Sequence, residues 1–443
     1  MFEGKTHALF AKYAVPQMIG LLCNSVYLIV DGIFIGNRLG TAAMAAAAVS
    51  VPLIEILIAL SMAVASGAGV LISGHIGRGE KGKAVQTFNT AVLCAVAMGV
   101  LVMTLGNIFI HPLAELLGST PQIQGQAIAY MRYILTFSPF LILSFLFSGL
   151  ARNDGCPKLA MFALAAGSLS NIALDYVFIY PLDMGIGGAA LATALGPIFS
   201  VLVLLPHFVL KKGSLFFAKS KPRVQSVGRI YALGFPSFIM EFTIGIITFV
   251  YNFAIIRHGY GALGLAAYLV IGYLMLMILT LFLGMAEGLQ PVFSYFTGTG
   301  DAEKNRAMRV FATKIFLAVG IVCYLLIVFF SRRFFSVFNP GDVELIDFMQ
   351  DKSLYYFCGF FLAGYNILLI SFWQSTRRTN QALLISLSRS MVWPPLLIAI
   401  LPLAFGSEAI WICHSLGEAL TACTVFLLLL RTQRREKALA VTN

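Results

Sequence analysis

Apolar positions along this chain gather into long stretches, each close to the ~20 residues that a bilayer's hydrocarbon core demands. They do not alternate with period two, so an outer-membrane barrel is excluded. Twelve stretches stand out. The first six are Ala14–Gly36, Val49–Ile72, Phe88–Ile110, Ala127–Leu150, Lys158–Tyr180 and Gly187–Leu210. The second six are Ile230–Ile256, Leu263–Phe293, Val310–Phe330, Leu354–Ser375, Ala382–Phe405 and Glu408–Leu430. The pattern predicts an all-α polytopic membrane protein with twelve transmembrane helices. The opening, MFEGKTHALFAKYAVP, has no small-residue cleavage site, so the first span is expected to act as its own insertion signal.

The pattern also repeats. A proline opens a span in YAVPQMIG and again in LGFPSFIM, at Pro16 and Pro236, 220 residues apart. A glycine-bracketed acidic turn follows the second span of each half, Gly77–Glu80 and Gly298–Asp301, 221 apart. Basic turns follow the fourth spans, ARNDGCPKLAM and STRRTNQALLI. Six spans per repeat imply two parallel bundles related by an axis along the membrane normal. The expected organisation is two pseudo-symmetric six-helix lobes, 1–213 and 230–443, joined by a basic cytoplasmic linker, 214–229.

Composition strengthens this reading. The chain is 59% hydrophobic and 11% charged, with mean hydropathy +0.89, whereas soluble domains carry about 25% charged residues. A net charge of +11 suggests nucleic acid until its distribution is read. With both termini inside, 24 Lys and Arg fall on inner segments and 6 on outer ones. That is the positive-inside signature; it predicts a multi-pass membrane protein with cytoplasmic termini, contacts with anionic lipid, and no nucleic-acid partner. The seven cysteines are scattered, form no CxxC and have no His at metal spacing, so they read as small buried hydrophobes.

The chemistry lies in the few polar residues inside the spans. NSVYLIVDGIFIG carries Asn24, Tyr27 and Asp31 on one helix face. A carboxylate at mid-membrane costs ~2.5–3.5 kcal/mol on insertion scales and marks ion pathways. In SLSNIALDYVFIY, Ser168, Asn171 and Asp175 form a second such face, and Thr193 in the sixth span could add a hydroxyl. Hard cations take oxygen ligands of this kind, and neighbouring carboxylates favour a shared proton. The set therefore suits a site used by a proton or by sodium; the alternative is that Asp31 and Asp175 are helix–helix glue. Glu55, Glu287 and Glu418 suit interfaces or helix ends. Glu241, little more than a turn after Pro236, could attract a cationic ligand. Pro16 and Pro236 lie inside apolar segments where the ring kinks a helix. The methionines and aromatics, 16 Met, 37 Phe and 16 Tyr, suit an adaptable pocket for apolar cations. There is no GxxxxGK[ST], no HExxH and no paired aspartate-rich motif, so neither an ATP engine of that type nor an enzyme is expected.

Taken together, VDGIFIG, RNDGCPKLAM, NIALDYVFI, GGAALATALG and the repeated glycine turns resemble the multidrug and toxic compound extrusion (MATE) family across essentially the whole chain. The resemblance is greatest to the bacterial branch with DinF-like and MepA-like members, which implies a place in the bacterial inner membrane. It implies two six-helix lobes around a central cavity and alternating access by rocking. It implies a cation or proton site at Asp31, Asn171, Asp175 and Thr193, which sodium could occupy, with no other cofactor. Tyr27, Asn24, Gln17, Glu241 and Glu287 would line the substrate cavity, and Pro16 and Pro236 would bend their helices. The carry-over to Glu241 is loose, because its offset from Pro236 does not match the glutamate of other branches. Asp31 aligns with Asn252 at offset 221, so the cation role is expected in one lobe only. The expected activity is secondary export of amphipathic organic cations by proton or sodium antiport, as a monomer. The rival is a lipid-linked oligosaccharide flippase of the same superfamily, whose diphosphate cargo would call for a basic cavity.

Overall fold

The computed structural model describes residues 4–218, 224–338 and 343–441, and the expected linker and C-terminal tail fall partly outside them. The described residues form helices and turns without a strand. The spanning helices are α1 Thr6–Gly40, α2 Ala42–Gly77, α3 Lys81–Ile108, α4 Gln124–Asn153, α5 Pro157–Ile179 and α6 Gly185–Val209. The second half adds α7 Gln225–Arg257, α8 Leu263–Thr299, α9 Ala302–Ser336, α10, α11 Thr379–Phe405 and α12 Ser407–Leu428. All twelve expected spans have a helical counterpart. The tenth differs from its expectation: α10 consists of two helices, Val343–Phe357 and Phe360–Ser375, bent by 45°.

That bend has a local cause. At Gly359 a side chain would press on the Ser415 backbone, with a Cβ only 2.7 Å from Ser415 Cα. Ser415 Oγ accepts from the Gly359 N–H at 2.8 Å and donates to the Tyr356 carbonyl at 2.7 Å. One hydroxyl thus satisfies a donor and an acceptor freed by the break, as buried backbone requires. Between α1 and α2 the change of direction is made at Gly40, whose φ of +82° lies in the left-handed region that glycine tolerates. Helical dihedrals continue through Pro16 and Pro236, and Gly40 is the non-helical residue within Thr6–Gly77.

The two halves do not keep their cores to themselves. The large apolar cluster of the second half takes in Leu9, Phe10, Tyr13 and Ala14 from the start of α1. A cluster of the first half takes in Ile230 and Leu233 from the start of α7. These intrusions correspond by the repeat: Phe10 with Ile230 and Tyr13 with Leu233, each 220 apart. The glycine turns correspond too, with φ of +74° at Gly79 and +76° at Gly300, each just before its acid. Apolar side chains such as Leu101, Ile108, Leu169, Phe329 and Leu403 point outward, as expected of helices solvated by lipid.

After α6 the chain is strapped onto the first bundle. The Asp154 carboxylate lies 2.8 Å from His207 Nε2 and accepts from the backbone N–H of Ser214 at 2.8 Å. Asn89 accepts from the Ala218 N–H and donates to the Phe216 carbonyl. Phe217 packs edge-on against Phe88 and Phe147.

Candidate cation site and interlobe cavity

Close approach of α5 and α6 builds the first site. At Gly167 a Cβ would run into Ser200 Oγ and within 2.9 Å of the Gly196 carbonyl, so only a glycine there lets the backbones meet. Ser200 Oγ donates to the Ala163 carbonyl at 2.9 Å and fixes the register. Asn171 then faces Thr193. With its nitrogen donating to Asp175 Oδ2 at 3.1 Å and its oxygen accepting from the Thr193 N–H at 3.1 Å, the Asn171 amide is satisfied at both ends. The opposite orientation leaves it one 3.4 Å contact with Thr193 Oγ1.

Asp31 of α1 completes the group. Its carboxyl comes within hydrogen-bonding reach of Asp175. Both are removed from lipid, at 7% and 0% exposure, and Asn171 is at 1%. Asp31 Oδ1 and Asp175 Oδ1 are buried without a hydrogen-bond partner. Tyr130 of α4 is also buried here, near Thr193. The sequence reading missed Tyr130, because a tyrosine in the run AIAYMRYILTF is indistinguishable from an ordinary apolar-belt residue. Asn24, Tyr27, Ser168, Asn171 and Thr193 line a cleft inside the first bundle.

This donor set can hold a small hard cation through two carboxylate oxygens and the Thr193 hydroxyl. The amide oxygen of Asn171 is committed to the backbone, and a full oxygen shell requires that amide to turn. A proton needs no such change, since one proton placed between two neighbouring carboxyls can be shared by both. Among the described residues no three of His, Cys, Asp and Glu gather as metal ligands.

The residues expected to share a substrate cavity fall into two chambers. Asn24 and Tyr27 belong to the cleft just described. Glu241 and Glu287 line a separate cavity between the halves, with Ser66, Arg152, Ser237, Gln290 and Gln374. Gln17 joins it by donating to Glu287 Oε2 at 2.8 Å. Glu55, Glu287 and Arg389 all lie close enough to act electrostatically on Glu241. One reading needs correction. Arg152 counts as an inner loop charge in the sequence, and Arg389 as the main basic exception in mid-membrane. The structure buries Arg152 in this cavity wall, 3.5 Å from Glu287 Oε2. Arg152 is the second-to-last residue of α4, and its side chain turns into this wall instead of out to the loop. Arg389 lies elsewhere, in a π-helical turn Ser388–Val392, donating to Glu418 Oε1 at 2.7 Å. Asn366 donates to the other oxygen of Glu418 at 2.8 Å. These charges cancel within the second bundle.

Comparison with known proteins follows the same repeat. The MatE family model matches twice, over residues 16–177 and 236–398. The two matches start 220 residues apart and end 221 apart, reproducing the offset of the internal repeat. The multidrug export protein MepA of Staphylococcus saprophyticus is 25% identical over 434 residues, which is 97% of this chain and 93% of that protein. A solved MATE structure in a straight conformation superposes with a TM-score of 0.93 at 23% identity, covering 98% of both chains. An outward-facing multidrug resistance MATE transporter of the MOP superfamily gives 0.91 at 23% identity, covering 96% of both.

Proposed function

The chain belongs to the MatE family, and on that premise we propose that it exports amphipathic organic cations by proton antiport, the lobes rocking between two accesses. Membership and its relatives' role in multidrug export support the class. The coupling ion rests on one observation: Asp31 and Asp175 meet carboxyl to carboxyl, away from lipid, with Asn171 donating to one of them. A proton arriving from outside would sit between these acids. Sodium would compete for their unpartnered oxygens and would draw in Asn171 and Thr193. Asp31 is the coupling carboxylate because it alone of the set lies on α1, the helix that also touches the second lobe.

Polarity supports a cationic cargo over a diphosphate-linked one. The interlobe cavity presents Glu241 and Glu287, with Glu55 and, against it, Arg389 close enough to act on Glu241. Its one arginine among the described residues, Arg152, is paired to Glu287. The lobes meet through α1, α2, α7 and α8 at the ends that carry the basic turns. If those turns are cytoplasmic, this conformation is closed to the cytoplasm.

The test is efflux of tetraphenylphosphonium from proteoliposomes with a pH or a sodium gradient imposed alone. Export driven by the pH gradient, and abolished in an inserted, folded Asp31→Asn variant, is expected. Efflux that survives in that variant, or that runs on sodium alone, overturns the assignment.

A further inference from the structure

We infer that Arg152 is a built-in competitor of the substrate: its guanidinium holds Glu287 across the interlobe seam, and a lipophilic organic cation must displace it to bind that acid. The inference rests on the export reading above. The contact crosses the halves, since Arg152 is on α4 and Glu287 on α8. Gln17 on α1 bridges both, accepting from Arg152 Nη1 at 2.8 Å and donating to Glu287 Oε2 at 2.8 Å. The grip is incomplete. Arg152 Nη1 also donates to Ser148 Oγ at 3.2 Å, but the direct Nη2 to Oε2 approach to Glu287 is 3.5 Å, and Arg152 Nε is buried without a partner. A guanidinium fully committed to structure satisfies its donors; this one is half held, beside a cavity that also contains Glu241.

The repeat supplies an internal control. Arg152 corresponds to Gln374 at offset 222, Gln17 to Ser237 at 220, and Glu287 to Ser66 at 221. Those three counterparts also touch across the opposite seam. Ser237 Oγ lies 3.0 Å from Ser66 Oγ and 3.1 Å from Gln374 Oε1. Gln374 is further tied to the Leu233 carbonyl at 2.6 Å, and Gln290 donates to Ser66 Oγ at 2.5 Å. One seam is therefore closed by neutral groups that are satisfied, and the other by a charged pair that leaves Arg152 Nε unbonded. Closure does not demand a charged pair, because the neutral seam achieves it. The charge at Glu287 needs another reason, and a cationic ligand sharing that carboxylate provides one.

The experiment measures tetraphenylphosphonium binding and thermal stability of the purified full-length protein. Arg152→Gln, which copies the neutral seam, is expected to bind the probe about tenfold tighter. Glu287→Gln is expected to bind it about tenfold weaker, and the double variant should match Glu287→Gln, because Arg152 acts only through that acid. Arg152→Lys should fall between wild type and Arg152→Gln. In stability, the losses of the two single variants should exceed that of the double. Additive stability losses, or an Arg152→Gln variant that binds no tighter than wild type, overturn the inference. Wild-type protein that binds no probe, with non-additive stability retained, defeats the export reading while the seam contact stands. The variant carrying both Arg152→Gln and Glu287→Ser reproduces the neutral seam and keeps folding testable if a single change misfolds.

Discussion

Asp154 shows how much one buried carboxylate organises at the residue scale. Its oxygens hold His207 and the backbone of Ser214 and Leu215, so Asp154→Ala would strand three partners at once. A loss of about 3 kcal/mol is expected, within the range for breaking a buried charged hydrogen bond, visible as a lower Tm in detergent with the protein still inserted. Outside the membrane, the turn acid Glu80 is pulled down to about 2 by Lys83, His75 and Arg78. Its folded value lies below the ordinary 4.5, so its contribution is complete above about 4.5 and vanishes as pH falls toward 2. The Tm gap between wild type and Glu80→Gln should hold from pH 8 to pH 5 and close below that window; a gap that closes at neutral pH would assign the effect to another group. Residues of this scale differ in how visible they are in a sequence. Asp31 and Asp175 are conspicuous because an acid in an apolar run has no ordinary explanation. Arg152 is not, because a basic residue beside a turn motif reads as topology, and only the packing of the folded chain puts its side chain in the cavity wall.

Among the elements, the helices were legible from apolar run length, because hydrocarbon thickness fixes that length. Their irregularities were not. The bend at Gly359 depends on a serine of α12 that no local pattern connects to α10. Pro16 and Pro236 read as sites of bending, and α1 passes Pro16 with helical dihedrals. Glycine does more in this structure. A Cβ at Gly234 would collide with the Ala63 carbonyl, and one at Gly67 with that of Ile230. On the other seam, Gly288 meets Tyr13 and Ala14, and Gly284 lies with its Cβ position 3.0 Å from Met18 N. Gly234→Val should therefore prop open the α2–α7 seam at an overpacking cost of ~1–3 kcal/mol in the closed state. The expected result is at least tenfold slower export with normal membrane insertion. Unchanged export would mean that this seam never needs to close.

At the scale of the whole molecule, two bundles and their near-constant offset could be read from the sequence, because a duplicated chain keeps its turns in step. The exchange of helix starts between the cores could not, since nothing in the order of spans says that α1 leans on the other half. The exchange bears on function: α1 holds the Asp31 carboxyl in one bundle while its first turns are packed in the other. Protonation at Asp31 thus has a mechanical path to the second lobe that Asp175, on α5, lacks. Asn171→Ala should leave that path intact and disturb only the acids. It is expected to shift the pH dependence of tetraphenylphosphonium efflux and to keep a measurable maximum rate, whereas Asp31→Asn removes the rate altogether. Equal loss in both variants would argue that the amide is as essential as the acid.

The glycine turns meet where the two halves face each other. A Cβ at Gly77 would strike the Tyr295 carbonyl, and one at Gly298 would strike that of Gly74. By the repeat, Gly77 is the counterpart of Gly298 and Gly74 of Tyr295, so each surface touches the image of itself. Such a contact is isologous, the geometry of a two-fold homodimer, realised here within one polypeptide. A six-span half would already carry both sides of its own closing interface. Fusing two copies then freed each side to diverge, and the asymmetries of this molecule, Asp31 against Asn252 and Arg152 against Gln374, are differences that a true homodimer could never hold.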